Sequence, residues 1–128
     1  MFKYVTPTGN PAHYQPDGCI TVIEFGDPDC DDCRFAKLKM ETDVTFSTLV
    51  DKGQVSVLFI IPDPEEGWQT KVTGFSPKWH VGASDTISDE YDLRTTPSFY
   101  VVGRDGKLLA KNVSYRQAMG IAVEAAKR

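Results

Sequence analysis

The strongest constraint on the fold is the junction that follows residue 25. Ile20-Thr21-Val22-Ile23-Glu24-Phe25 is a β-branched run bounded by Gly18 and Gly26, which predicts a largely buried strand. From Asp31 the spacing changes. Phe35, Leu38 and Met40 suggest a helix face, with Asp27 or Asp29 placed to cap its start, and Val44, Phe46, Leu49 and Val50 carry a helical pattern to a stop at Gly53. Val55 to Ile61 is then apolar almost throughout, as a central strand requires. A strand, a helical crossover and a second strand make a parallel pair.

The rest of the chain predicts a mixed sheet. Glu65 to Val72 reads as a short helix carrying Trp68, Thr73 to Thr86 as a loop, and Ser88-Asp89-Glu90-Tyr91 as a capped helical turn. Ser98 to Val102 and Leu108 to Val113 read as strands joined through Arg104-Asp105-Gly106-Lys107, whose Asp-Gly is a hairpin signal. Ser114 caps a last helix with Ala118, Ile121, Ala122 and Ala125 on one face. Residues 1–19, rich in Pro, Gly, Thr and Asn, show no period and are expected to be an irregular lead-in. The expected order over residues 20–128 is β, α, β, α, β, β, α: one α/β domain with a mixed central β-sheet flanked by helices.

Composition narrows the function. Hydrophobic residues make up 41% and charged residues 25% of the 128, which excludes disorder and suits one domain. A net charge of −4 with no Lys/Arg cluster longer than Lys127-Arg128 argues against nucleic acid and against anionic membranes. No apolar run approaches the roughly 18 residues of a membrane span. The Met1-Phe2-Lys3 start is not followed by an apolar signal region, so the chain reads either as cytoplasmic or as a piece of a longer exported protein. Monomer is the expectation for a small acidic domain.

Chemistry concentrates at Cys30-Asp31-Asp32-Cys33. Two cysteines three apart at a helix start face the same way. The helix N-terminus favours a thiolate on Cys30, which can attack a disulfide, and Cys33 can then displace the product. The strand-turn-helix setting is what makes the motif a redox signal. Structural zinc would need four ligands, yet there is no second such pair, and His13 and His80 are far apart in sequence. Asp27-x-Asp29-x-Asp31 opens like a calcium loop, but the sixth and twelfth positions are Asp32 and Leu38 rather than Gly and Glu. No metal and no organic cofactor is therefore expected. A purely structural disulfide is the other bland alternative, although it would staple very little chain.

Glu24, Asp27, Asp29, Asp31 and Asp32 place five carboxyls within ten residues. Ionised neighbours disfavour a thiolate on Cys30. Asp29, Asp31 and Asp32 are thus read as tuning residues that make the Cys30–Cys33 disulfide stable and the pair reducing, within the limits set by solvent screening. Glu24 is read as a buried carboxyl serving proton transfer, the alternative being the exposed face of an edge strand.

The run from Ile20 to Cys33 followed by a helix resembles the thioredoxin-like superfamily. Thr95-Thr96-Pro97-Ser98-Phe99-Tyr100 is similar to that family's cis-proline loop, and Glu24 stands six residues before Cys30, where thioredoxins carry a buried Asp. The resemblance covers Cys19 to Arg128 and lies nearest the TlpA-like and ResA-like thiol-disulfide reductases of bacterial envelopes. Asp27-Pro28-Asp29-Cys30 and Tyr91-Asp92-Leu93-Arg94 resemble thioredoxin-like domains of exported Bacteroidetes proteins. The resemblance implies a thioredoxin fold and a redox-active Cys30–Cys33 disulfide. It also implies that Glu24 assists proton transfer and that Thr96 and Pro97 shape the substrate platform. It further implies protein disulfide substrates, an electron-donor thiol protein and a periplasmic or envelope location. The sequence departs from the family pattern at Asp31-Asp32, where Gly-Pro or Glu-Pro is usual, at Asp29, where Trp is usual, and at Gly26, where an aromatic is usual. These departures leave a second class open: a thioredoxin-like interaction module with little turnover.

Five further positions carry expectations. Cys19 is expected at the far end of the sheet as an inert buried thiol, with pairing to a partner as the alternative. Trp68, Trp79 and Tyr91 are expected to be core or loop anchors, or else a partner groove. His80 is expected to be an ordinary loop residue.

Overall fold

A computed structural model describes residues 1–91, 93 and 95–128. A seven-stranded sheet runs in the order β2-β1-β5-β4-β3-β6-β7. Its strands are β1 (Phe2–Val5), β2 (Pro11–Tyr14), β3 (Ile20–Phe25), β4 (Val55–Pro62), β5 (His80–Ser84), β6 (Ser98–Val102) and β7 (Leu108–Val113). The helices are α1 (Asp31–Thr42), α2 (Val44–Asp51), α3 (Ile87–Glu90) and α4 (Tyr115–Ala126). Strand β3 lies inside the sheet, parallel to β4 and antiparallel to β6, so the crossover and hairpin expected from the sequence are both present.

The sheet has two apolar faces. Ile20 and Val22 pack with Val57, Phe59, Phe99, Val101, Ala118 and Ala122 on one side. Ile23 and Phe25 pack with Leu58, Ile60, Tyr100 and Phe2 on the other. Burial on both faces is why β3 and β4 read as near-continuous hydrophobic runs. Ser114 caps α4 through a reciprocal box with Gln117, and Gly106 takes the left-handed conformation (φ 84°) in the β6–β7 turn.

Several expectations need correction. Residues 1–19 are not an irregular lead-in. They contain the antiparallel β1–β2 hairpin, and β1 joins the sheet through Val5 opposite Ala83. Two four-residue strands are too short to show a period, and Gly9 (φ 85°) makes the turn between them. Part of the expected loop Thr73 to Thr86 is strand β5, which contains His80 and Gly82. Gly82 is glycine because a Cβ there would lie 2.2 Å from the Tyr4 ring. A strand that accommodates another chain this closely loses its hydrophobic signature.

The face of α1 also differs from the expectation. Phe35 and Leu38 are 50% and 55% exposed, and the buried stripe is Cys33, Ala36 and Met40. The small Ala36 lets the helix lie against the sheet, whereas the larger residues were the more visible in the sequence. The helical pattern breaks at Asp43, whose side chain caps α2 by accepting from the Phe46 N–H. The expected helix over Glu65 to Val72 is a 3₁₀ turn over Trp68–Val72. In the segment Tyr91-Asp92-Leu93-Arg94, Asp92 and Arg94 lie outside the described residues.

Candidate active site

Parallel β3, β4 and β5 all end on the same side of the sheet, and α1 begins there. Open α/β sheets build sites in this position. After Phe25, the Gly26 N–H donates to the Ile60 carbonyl at 3.1 Å, which ties the departing chain to the end of β4. The Asp27 carboxylate accepts from the Asp29 N–H at 2.8 Å, and the Cys30 N–H donates to the Asp27 carbonyl at 3.1 Å. Asp27 therefore holds its own turn rather than capping the helix, and Asp29 is not the cap either. The N-cap is Cys30 itself, whose sulfur accepts from the Cys33 N–H at 3.2 Å.

The two thiols are unequal. Both are free, but Cys30 is half-buried whereas Cys33 is 1% exposed. The Cys33 sulfur accepts from the Asp27 N–H at 3.5 Å. A Cβ on Gly26 would lie 3.1 Å from that sulfur and 3.2 Å from the Phe59 ring. The departure from the usual aromatic at position 26 thus leaves room for Cys33. Burial pushes the Cys33 thiol up to about 12, helped by its hydrogen bond with Cys30.

Glu24 is fully buried on an interior strand, between Phe59 on β4 and Phe99 on β6, which removes the edge-strand alternative. Neither carboxylate oxygen has a hydrogen-bond partner among the described residues. Burial raises its pKa well above the ordinary carboxyl range; Cys30 adds to the rise and Lys37 opposes it.

The acid cluster is only partly bare. Asp29 pairs with Lys71 and Asp31 with Arg34, both at the surface, and Asp32 is exposed. Pro97 lies beside this end of the sheet, because its neighbour Ser98 is opposite Phe25. The Thr96–Pro97 bond is cis, Pro97 is half-buried and Thr96 is exposed. Geometry thus brings Glu24, Asp29, Cys30, Asp31, Asp32 and Cys33 together and puts Thr96 and Pro97 at the same sheet end.

Fold comparison places this arrangement among known proteins. A conserved protein of unknown function from Bacteroides fragilis is 30% identical, with a TM-score of 0.84 over 93% of this chain and 91% of that one. A thioredoxin-like protein from Bacteroides caccae is 22% identical, with a TM-score of 0.85 over 96% of this chain. The chain has the thioredoxin fold. It spans 47% of the length of the B. caccae protein. The thioredoxin domain of a thiol-disulfide oxidoreductase from Bacteroides vulgatus superposes with a TM-score of 0.78 at 18% identity, over 96% of this chain and 91% of that one. No family model and no curated protein matched the sequence.

The other singled-out residues fall outside this thioredoxin-like centre. Cys19 lies at the opposite end of β3, half-buried, with its thiol donating to the Gly53 carbonyl at 3.5 Å. Trp68 and Trp79 are buried in the core, and Tyr91 packs against Phe2, Phe25 and Tyr100. A cavity of about 920 Å³ is lined by Ile20, Leu109, Val113 and Ile121, at the end of β3 far from Cys30 and Cys33. Among the described residues no cluster of three or more His, Cys, Asp or Glu is placed to hold a metal ion, and no helix is long and apolar enough to cross a membrane. Lys37 and Glu41 were not singled out from the sequence. They form a half-buried ion pair of 2.9 Å on α1, beyond Cys33. Their spacing of four from Cys33 and from each other is the signal that could have found them.

Proposed function

We propose that the protein is a dithiol-disulfide oxidoreductase acting on exposed disulfides of other proteins. The observation that carries this reading is the inequality of the thiols: Cys30 is accessible and hydrogen-bonded at a helix N-terminus, while Cys33 is buried beneath it and held protonated. The Cys30 thiolate attacks one sulfur of the substrate disulfide, and the other leaves as a thiolate that takes up a proton. Cys33 then gives its proton to Glu24, its sulfur bonds to the Cys30 sulfur, and the second substrate thiol leaves. The substrate gains two electrons and the protein is left as the Cys30–Cys33 disulfide. An electron-donor thiol protein must reduce it again.

Thr96 and Pro97 form the platform for the substrate chain. The acid cluster gives the pair a reducing character, nearer about −270 mV than about −120 mV. The likeness to the TlpA-like group supports work in the bacterial envelope. A redox titration in dithiothreitol buffers, read by alkylation and mass, tests the reading. A reversible Cys30–Cys33 couple, with a substrate trapped on Cys30 in Cys33→Ser, is the expected result. Thiols that stay free under oxidising buffers would overturn it and leave the interaction-module reading. A potential above roughly −180 mV would overturn the reducing assignment alone.

A further inference from the structure

Cys33, Lys37 and Glu41 follow one another at intervals of four along α1, so they stack on one side of the helix. The Lys37 and Glu41 side chains are only 17% and 20% exposed, low for residues that ordinarily stand in solvent. Both are anchored. Lys37 Nζ lies 2.9 Å from Glu41 Oε1 and 4.6 Å from the centre of the Phe75 ring. Glu41 Oε2 accepts from the Ser76 N–H at 3.0 Å. Phe75 in turn packs edge-on against Phe59, with ring centres 4.9 Å apart, and Phe59 is the strand neighbour of Glu24. The ion pair is therefore fixed two rings, Phe75 and Phe59, away from the strand position that carries Glu24.

Glu24 has no hydrogen bond among the described residues to set its charge. Its charge state must then follow from burial and from surrounding charges. Among the described residues, the charged and titratable groups acting on it come from α1 and its cap: Cys30, Cys33, Lys37 and Glu41. The neighbouring strands place Phe59 and Phe99 beside it, and α4 brings Ala118 and Ala122 to the same core. Lys37 favours the ionised carboxyl and Glu41 opposes it.

We propose that Lys37 and Glu41 are a positioning pair that sets the charge of Glu24 and thereby the pH at which Cys33 resolves the mixed disulfide. This rests on the oxidoreductase reading above. In the resolving step the Cys33 proton passes to the Glu24 carboxylate, so the rate rises with pH as Glu24 ionises.

Single-turnover reaction of the reduced protein with one equivalent of 5,5′-dithiobis(2-nitrobenzoate), in a Cys19→Ser background that removes the third free thiol, separates the steps. Attack by Cys30 releases one thionitrobenzoate, and resolution by Cys33 releases the second. Lys37→Gln should move the pH limb of the second release up by about one unit, and Glu41→Gln should move it down by about as much. Lys37→Arg, which keeps the charge, should leave it in place. With Glu24→Gln in the background, the Lys37 and Glu41 substitutions should move nothing. Unmoved limbs, limbs that move in the same direction, or shifts that survive the loss of Glu24 would overturn the pair. If Lys37→Gln does not fold, Glu41→Gln decides alone, and an unmoved or raised limb overturns the proposal. A wild-type protein that gives no second release overturns the oxidoreductase reading and the pair with it. Two releases with unmoved variants overturn the pair alone.

Discussion

The backbone N–H of Cys33 donates to the sulfur of Cys30 at 3.2 Å, so one cysteine supports the charge of the other while keeping its own thiol buried. With Cys33 pushed up to about 12, roughly one Cys33 in ten thousand is ionised at about pH 8. Limited iodoacetamide at that pH should therefore label Cys30 at least ten-fold faster than Cys33. Peptide mass mapping checks this, and equal labelling would contradict the assignment of roles.

Glu24 ties activity to stability. Its folded pKa lies well above the ordinary value of about 4.3. Between those two values the folded state binds more protons than the unfolded one. Stability is thus fully present below about pH 4.3 and falls as pH rises through the folded value. Glu24→Gln removes that loss. Above the folded value, the variant should be more stable than wild type by on the order of 1 kcal/mol, about 3–5 °C in Tm. Its disulfide turnover should fall by about 100-fold. Thermal melts across pH and a turnover assay on one preparation check both signs.

Gly26 makes the seat for Cys33. Gly26→Ala puts a methyl group 3.1 Å from the Cys33 sulfur and 3.2 Å from the Phe59 ring, closer than either contact allows at rest. Overpacking of this kind costs about 1–3 kcal/mol. Urea denaturation should show a loss in that range. The second release of thionitrobenzoate should slow more than the first, because of the two cysteines only Cys33 meets the added methyl.

How much of this was legible in the sequence depended on the length and chemistry of each segment. Ser98–Val102, Leu108–Val113 and the Ser114 cap fall where the sequence places them, because an Asp-Gly turn and a Ser-x-x-Gln box are local signals. The Cys30–Cys33 pair and the burial of Glu24 were readable for a similar reason: a lone carboxylate in a β-branched run stands out. Strands β1, β2 and β5 were hidden, since four or five residues form no period, and β2 and β5 also carry a Pro and a Gly. What makes β5 a strand is its pairing with β4 and with distant Val5. The α1 face was misjudged because Ala36 is small and Phe35 is large, yet close packing on the sheet selects the small residue. The Lys37–Glu41 pair showed in the sequence only as a spacing of four, because its meaning depends on Phe75 and Ser76, more than thirty residues away.

The exposed acids at the start of α1 supply the last prediction. Asp31 and Asp32 occupy its first turn, and Asp31 is partly answered by Arg34, which leaves Asp32 the more effective of the two. Both stabilise the helix in the oxidised and the reduced protein alike, so that contribution drops out of the redox potential. What remains is repulsion of the Cys30 thiolate, which exists only in the reduced form and pulls the potential down. Asp31→Asn with Asp32→Asn should therefore raise the Cys30–Cys33 potential. Two exposed charges, each interacting with the thiolate by about 0.2–1 kcal/mol, correspond to roughly 10–40 mV. The shift should shrink at high salt, because both carboxylates face solvent. Titration against dithiothreitol at low and high ionic strength measures it. A potential that falls, or a rise that salt does not reduce, would show that the acid cluster does not tune the pair through charge.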